Sequence, residues 1–165
     1  MTLLLDAFNL IYKFPDLEEN MARGQLVEAR QGLLARLQLL QKRWKKPLEI
    51  HCFFDGKKNR GVDVRREFSH GMQLYYSHDL SADHLIKEYI KTYPRPGALN
   101  IVSTDKEILE FARKHKCQRK TSEEFAAWVN EVLGAKPEKP EKDENPRLSQ
   151  DEVAYWEAMF KNKPG

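Results

Sequence analysis

Residues 3–11 read LLLDAFNLI. Three successive leucines without polar alternation are the pattern of a short strand buried on both faces, as at the centre of a parallel sheet. Asp6 ends the run, and an apolar Ala7-Phe8 pair follows at once. An aspartate there has no evident capping duty. A buried strand that delivers a carboxylate to its own carboxyl end is the starting point for both the fold and the chemistry.

The same pattern recurs along the chain. Glu49 to Phe54, entered from Pro47, Met72 to Ser77 and Leu99 to Val102 are further apolar runs of strand length, and Cys117 to Lys120 is a short edge-strand candidate. Between them the apolar positions change to helical spacing. Leu26, Leu33, Leu34, Leu37, Leu40 and Trp44 mark a helix over residues 25–44. Leu85, Ile86, Tyr89 and Ile90 mark one over 82–93, stopped by Pro94 and Pro96. Ile108, Leu109 and Phe111 or Ala112 mark one over 106–115. A last body helix over 123–133 is opened by Thr121 and Glu124, which have capping-box spacing, and ended by Gly134. Strands alternating with helices predict an α/β fold, a three-layer Rossmann-like sandwich around a mostly parallel sheet with right-handed crossovers.

The 165 residues suit one domain with an appendage. Residues 1–134 form the expected domain. Residues 135–147, AKPEKPEKDENPR, have three prolines and no large apolar side chain, which predicts a solvated linker. Residues 148–165 predict an amphipathic helix, opened by Ser149 and Glu152 and striped by Val153, Trp156, Met159 and Phe160. That stripe suits docking on the body or binding a partner. Net charge is only +3, which does not by itself indicate a nucleic-acid partner. Residues 135–165 hold 6 Lys+Arg and 7 Asp+Glu, so the positive balance belongs to the body. Two cysteines without CxxC spacing argue against zinc and against a disulfide framework, and fit a reducing compartment. The apolar start is too short for a signal peptide or a membrane span, so a cytoplasmic protein without membrane attachment is expected. Oligomeric state is not encoded in any readable feature.

Each strand candidate is followed by an acid: Asp6, with Asn9 three residues on; Asp55; Asp83, in the first turn of its helix; and Asp105, after Ser103 and Thr104. In an open parallel sheet these positions share the carboxyl edge, where such folds bind ligands. Capping and the helix dipole explain a single Asp at a helix start. They do not explain four acids converging on one crevice. Clustered carboxylates repel until a hard cation neutralises them, and Mg²⁺ or Mn²⁺ takes oxygen ligands together with waters and a phosphate. Such ions activate water for in-line displacement at phosphorus. Asn9, Ser103 and Thr104 are placed to orient that water or a phosphate oxygen. Lys57, Lys58, Arg60, Arg65 and Arg66 follow Asp55 and are the best candidates to meet an RNA backbone. Other basic runs, residues 42–46, 113–116 and 119–120, read as solvated faces. Tyr75, Tyr76, Phe8 and Tyr12 are either core residues or base-stacking rings.

Other chemistries lack their motifs. The five histidines have no zinc spacing, although His84 beside Asp83 can support the acid site. No GxSxG, Walker loop or GxGxxG occurs. Asp63 lies in a basic stretch and ranks below Asp83. A receiver-type phosphoacceptor needs an acid beside Asp6, and a DxD phosphatase needs one at position 8, which is Phe8.

Taken in order, LLLDAFNLI, FFDG, LSADHLI and IVSTDKEI resemble the NYN domains of the PIN-like nuclease superfamily, nearest to the YacP-like branch. The resemblance spans residues 2–133, and a tail after a charged linker is similar too. It implies a metal-dependent endoribonuclease with Asp6, Asp83 and Asp105 as metal-binding catalytic acids, Asn9 supporting them, and Asp55 as a further acid. It implies Mg²⁺ or Mn²⁺ as cofactor and mRNA on the translating ribosome as substrate and partner. The alternative is a non-catalytic RNA- or ribosome-binding module on the same fold.

Overall fold

The computed structural model describes residues 1–55, 65–77 and 81–134. The expected linker, the C-terminal helix and Lys57, Lys58 and Arg60 lie outside the described residues.

Strand β1 (Thr2–Asp6) is the centre of the molecule. Leu3, Leu4 and Leu5 are completely buried, as a strand covered on both faces requires. Helices α1 (Ala7–Ile11), α2 (Pro15–Ala22) and α3 (Leu26–Arg43) lead to β2 (Glu49–Phe54). A hairpin of β3 (Arg65–Ser69) and β4 (Met72–Tyr76) follows, then α4 (Ala82–Thr92), β5 (Leu99–Val102), α5 (Lys106–Lys114), β6 (Gln118–Lys120) and α6 (Ser122–Gly134). The strand order is β3-β4-β2-β1-β5-β6, parallel throughout except that β3 runs antiparallel to β4.

Two apolar layers flank the sheet. Alternation along β1 sends Leu3 and Leu5 into a layer with α1, α3 and α6, and Leu4 into a layer with α4 and α5. Trp44 and Trp128 meet edge-on at 5.1 Å where α3 crosses α6. Arg43 donates to the carbonyls of Val132 and Leu133, satisfying the last turn of α6. Both cysteines are buried free thiols. Among the described residues no helix is long and apolar enough to cross a membrane.

Two expectations change. Residues 65–69, read as part of the loop after Asp55, form edge strand β3, so Arg65 and Arg66 sit on the sheet. His70 and Gly71 close the hairpin with φ of 56° and 76°. Both central positions of a type I′ turn require positive φ, and glycine supplies it without strain. Helices α1 and α2 are additions. The α2 sequence buries little besides Leu17 and so shows no stripe.

Candidate active site

The chain runs outward from β1 to β2 and β4, then returns to lay β5 on the other side of β1. The crevice of an open α/β sheet lies at this reversal, outside the carboxyl ends of the strands. Asp6 ends β1, and Ser103 follows β5, so both stand at the reversal.

Asp6 is 7% exposed. Its Oδ2 accepts from the Ser103 hydroxyl at 2.8 Å and from the Asn9 side-chain amide. Ser103 is completely buried. Its Oγ accepts the backbone N–H of Asp105 at 3.0 Å, and its own N–H donates to the Lys120 carbonyl at 3.2 Å. One residue thus ties β1, β5, β6 and the start of α5 together, the hydroxyl joining Asp6 to α5 and the backbone N–H joining β6. Ser103 stands behind the Asp6 carboxylate rather than against solvent, and its hydroxyl is placed to aim that acid. Thr104 is exposed beside it.

Asp105 caps α5, its Oδ1 accepting the Glu107 N–H at 2.8 Å. The cap of α4 is Ser81, which accepts from the His84 N–H, and this leaves the first-turn Asp83 side chain for other work. Asp83 Oδ1 is buried without a hydrogen bond. Lys87 Nζ approaches it at 3.3 Å as an ion pair outside hydrogen-bond geometry, and also pairs with Glu107 at 3.0 Å. Lys87 was missed by the sequence reading. Its spacing of four residues from Asp83 is the available signal, but the link to α5 is tertiary.

Burial pushes the Asp6 carboxyl up to about 6. The bonds from Ser103 and Asn9 oppose that rise, and the charges of Asp105 and Asp83 add to it. The structure therefore brings Asp6, Asn9, Ser103 and Asp105 together by hydrogen bonds, and Asp83 by charge. Asp55 follows β2 at the same edge, half-buried. Arg66 is exposed on β3, its guanidinium 5.7 Å from the Tyr75 ring centre. His84 is exposed. Phe8 and Tyr76 are core residues.

Among the described residues no group of three or more His, Cys, Asp or Glu is arranged to hold a single ion. Mg²⁺ commonly binds through one or two carboxylates, keeping its waters and taking substrate phosphate. The all-oxygen donors, the buried Asp83 Oδ1 and the raised Asp6 fit such an ion, because a divalent cation relieves each of those penalties. Asp6, Asp83 and Asp105 are the residues that would hold it.

No curated protein matches the sequence significantly. Among the solved structures that share the fold are two of one protein. One is the crystal structure of Rae1 (YacP) from Bacillus subtilis, with TM-score 0.62 and 19% identity, covering 98% of this chain and 91% of that one. The other is a mutant of the same protein, with TM-score 0.63 and 15% identity, covering 96% of this chain and 98% of that one. At such identities the likeness is one of fold, and it includes the mostly parallel six-stranded sheet. The profile of the YacP-like NYN domain, a nuclease-type domain, matches residues 3–161, past Gly134 and through most of the tail. With nearly the whole length matched, the chain belongs to the YacP-like NYN domain family.

Proposed function

We propose that this protein is a metal-dependent endoribonuclease of the cytoplasm that cleaves mRNA in association with the translating ribosome. The observation that carries the reading is the desolvated Asp6 carboxylate, clamped by Ser103 and Asn9 and raised further by the charges of Asp105 and Asp83. Carboxylates gathered against their mutual repulsion, at the reversal of a parallel sheet, serve a cationic ligand better than any structural end.

Each residue has a part. Ser103 and Asn9 fix the direction of the Asp6 carboxylate. Asp105 and Asp83 present their oxygens from the N-cap of α5 and the first turn of α4, whose N-terminal dipoles also attract phosphate. Bound Mg²⁺ or Mn²⁺ supplies positive charge to the phosphate and lowers the pKa of an attacking water. Arg65 and Arg66 on β3, with Lys57, Lys58 and Arg60 before them in sequence, give salt-sensitive backbone affinity.

The experiment is RNA cleavage in Mg²⁺ or Mn²⁺, on naked mRNA and on mRNA under translation. Asp6→Asn is expected to abolish cleavage. Asn9→Ala, which removes one of the two clamps on Asp6, is expected to lower it about 10–100-fold, the usual effect of losing a group that orients a metal ligand. Cleavage confined to the translated arm supports the ribosome as partner. The second reading, a non-catalytic RNA- or ribosome-binding module, is favoured by Lys87, which already lends counter-charge to Asp83. Absence of cleavage in both arms, with metal bound and the protein folded, would select it.

A further inference from the structure

Among the described residues, the sheet face on the α4 side is incompletely covered: α4 packs mainly against β1 and β2, reaches β4 through Tyr89 against Tyr75, and leaves β3 at the open edge. The antiparallel register sets Arg66 opposite Tyr75 and Phe68 opposite Gln73, so all four share that face. Phe68 is 69% exposed, the most of any large apolar side chain among the described residues. A bare phenyl ring on an edge strand invites association and calls for a reason.

Beside it a cleft of about 400 Å³ opens between the sheet and α4. Phe53, Tyr75 and Arg66 line it from the sheet, and Leu85, Glu88 and Tyr89 from the helix. Its floor is the edge of a rigid aromatic stack, with the Arg66 guanidinium over Tyr75. The Phe53 and Tyr75 rings are parallel within 6° at 4.4 Å, and the Tyr75 hydroxyl is bonded to His51 Nδ1 at 2.7 Å, which locks its plane. Phe53, which lines the cleft, is the register partner of Asp6, and α4, which walls it, carries Asp83 in its first turn. The volume is in the range of about 300–1,000 Å³ common for small-ligand sites.

We propose that this face is a base-stacking subsite. A nucleobase of single-stranded RNA stacks on the outer side of the Arg66 guanidinium at the mouth of the cleft, and a neighbouring base stacks on Phe68. The proposal rests on the ribonuclease reading and names how its substrate is gripped. Flat rings accept any base, a guanidinium stacks on one, and the Glu88 carboxylate offers an acceptor to exocyclic amines. Charge complementarity favours RNA over an apolar protein partner. Arg65 and Arg66 lie on β3, and Lys57, Lys58 and Arg60 precede it in sequence, a set suited to a polyanion.

The test uses the full-length protein carrying Asp6→Asn, in metal-free buffer, so that binding is read without cleavage. Fluorescence anisotropy of a labelled single-stranded oligoribonucleotide is compared with that of a duplex of equal length. Phe68→Ala and Arg66→Gln are each expected to weaken single-strand binding about tenfold, the scale of losing one stacked base. Duplex binding should fall less, since its bases are hidden. Leu39→Ala, at another exposed apolar position on α3, should change nothing. All of these positions are solvent-facing, and thermal melts confirm that each variant is folded. Unchanged binding by Phe68→Ala and Arg66→Gln overturns the proposal. So does an equal loss on both probes, or a Phe68→Ala effect confined to self-association. Cleavage by the unmutated protein is scored separately. Cleavage with no effect of the ring variants on binding or KM removes the subsite alone. Ring-dependent binding without cleavage removes the nuclease reading alone. No RNA binding at all removes both.

Discussion

Burial at the end of β1 raises the Asp6 carboxyl to about 6 from its ordinary 3.8, although two hydrogen bonds favour the charged form. The sign of the consequence follows from proton counting. Below pH 4 the folded and unfolded chains both hold the proton. Between about 4 and 6 the folded chain keeps a proton that the unfolded chain releases, so stability falls as pH rises through that window, and above it the loss is complete. Asp6→Asn removes the ionisable group, and its stabilising effect in metal-free buffer is expected to be small at pH 4. It should grow to the order of 2–3 kcal/mol by pH 7. Thermal or urea melts in chelator across that range measure it. A gain that does not vary with pH would remove the desolvation account. The residue thus costs stability where it is proposed to act, a trade common at functional sites.

At the scale of the element, the capping box at the head of α6 is the clearest case of local sequence determining local structure. Thr121 Oγ1 accepts the Glu124 N–H at 3.0 Å, and Glu124 Oε1 accepts the Thr121 N–H at 2.9 Å. Thr121→Ala is expected to lower stability by about 1 kcal/mol, read as a drop in Tm of about 2–4 °C. A melt that does not move would show that packing of Phe125, Val129 and Val132 alone sets the helix. Elements of this kind were legible because their signals are local: continuous apolar runs for β1, β2, β4 and β5, and stripes for α3, α4 and α5. The rest depended on distant partners. The β3 segment, RREFS, has no buried alternation, and becomes a strand because the turn at His70-Gly71 folds it back on β4. The proline at the start of α2, with Asp16 and Glu18 in its first turn, was a usable signal for a helix that buries only Leu17. The acids were legible as strand-end residues. The burial of Ser103 and the reach of Lys87 to Glu107 were not, since both depend on how β5 and α5 are set against their neighbours. Arg43, read as one of a charged run, serves the end of α6 instead.

For the whole molecule, the order of strands turns separate acids into one site, and occupancy of that site should register in global stability. On the proposed reading, Mn²⁺ would bind the folded chain and lack its site in the unfolded one. It is therefore expected to raise Tm, by an amount corresponding to about 2.7 kcal/mol at a hundredfold excess over Kd. Asp83→Asn should abolish the rise while leaving the metal-free melt little changed. A shift of equal size in that variant would place the ion elsewhere. The hydrogen bond from Ser103 to Asp6 joins residues 97 positions apart. A chain emerging from its own synthesis carries the acid well before the hydroxyl that aims it, which is lacking until β5 has been made. Translation products interrupted between the two hold the carboxylate with Asn9 but without Ser103. The working geometry is not accumulated along the chain but arrives late, with the return of the backbone to the centre of the sheet.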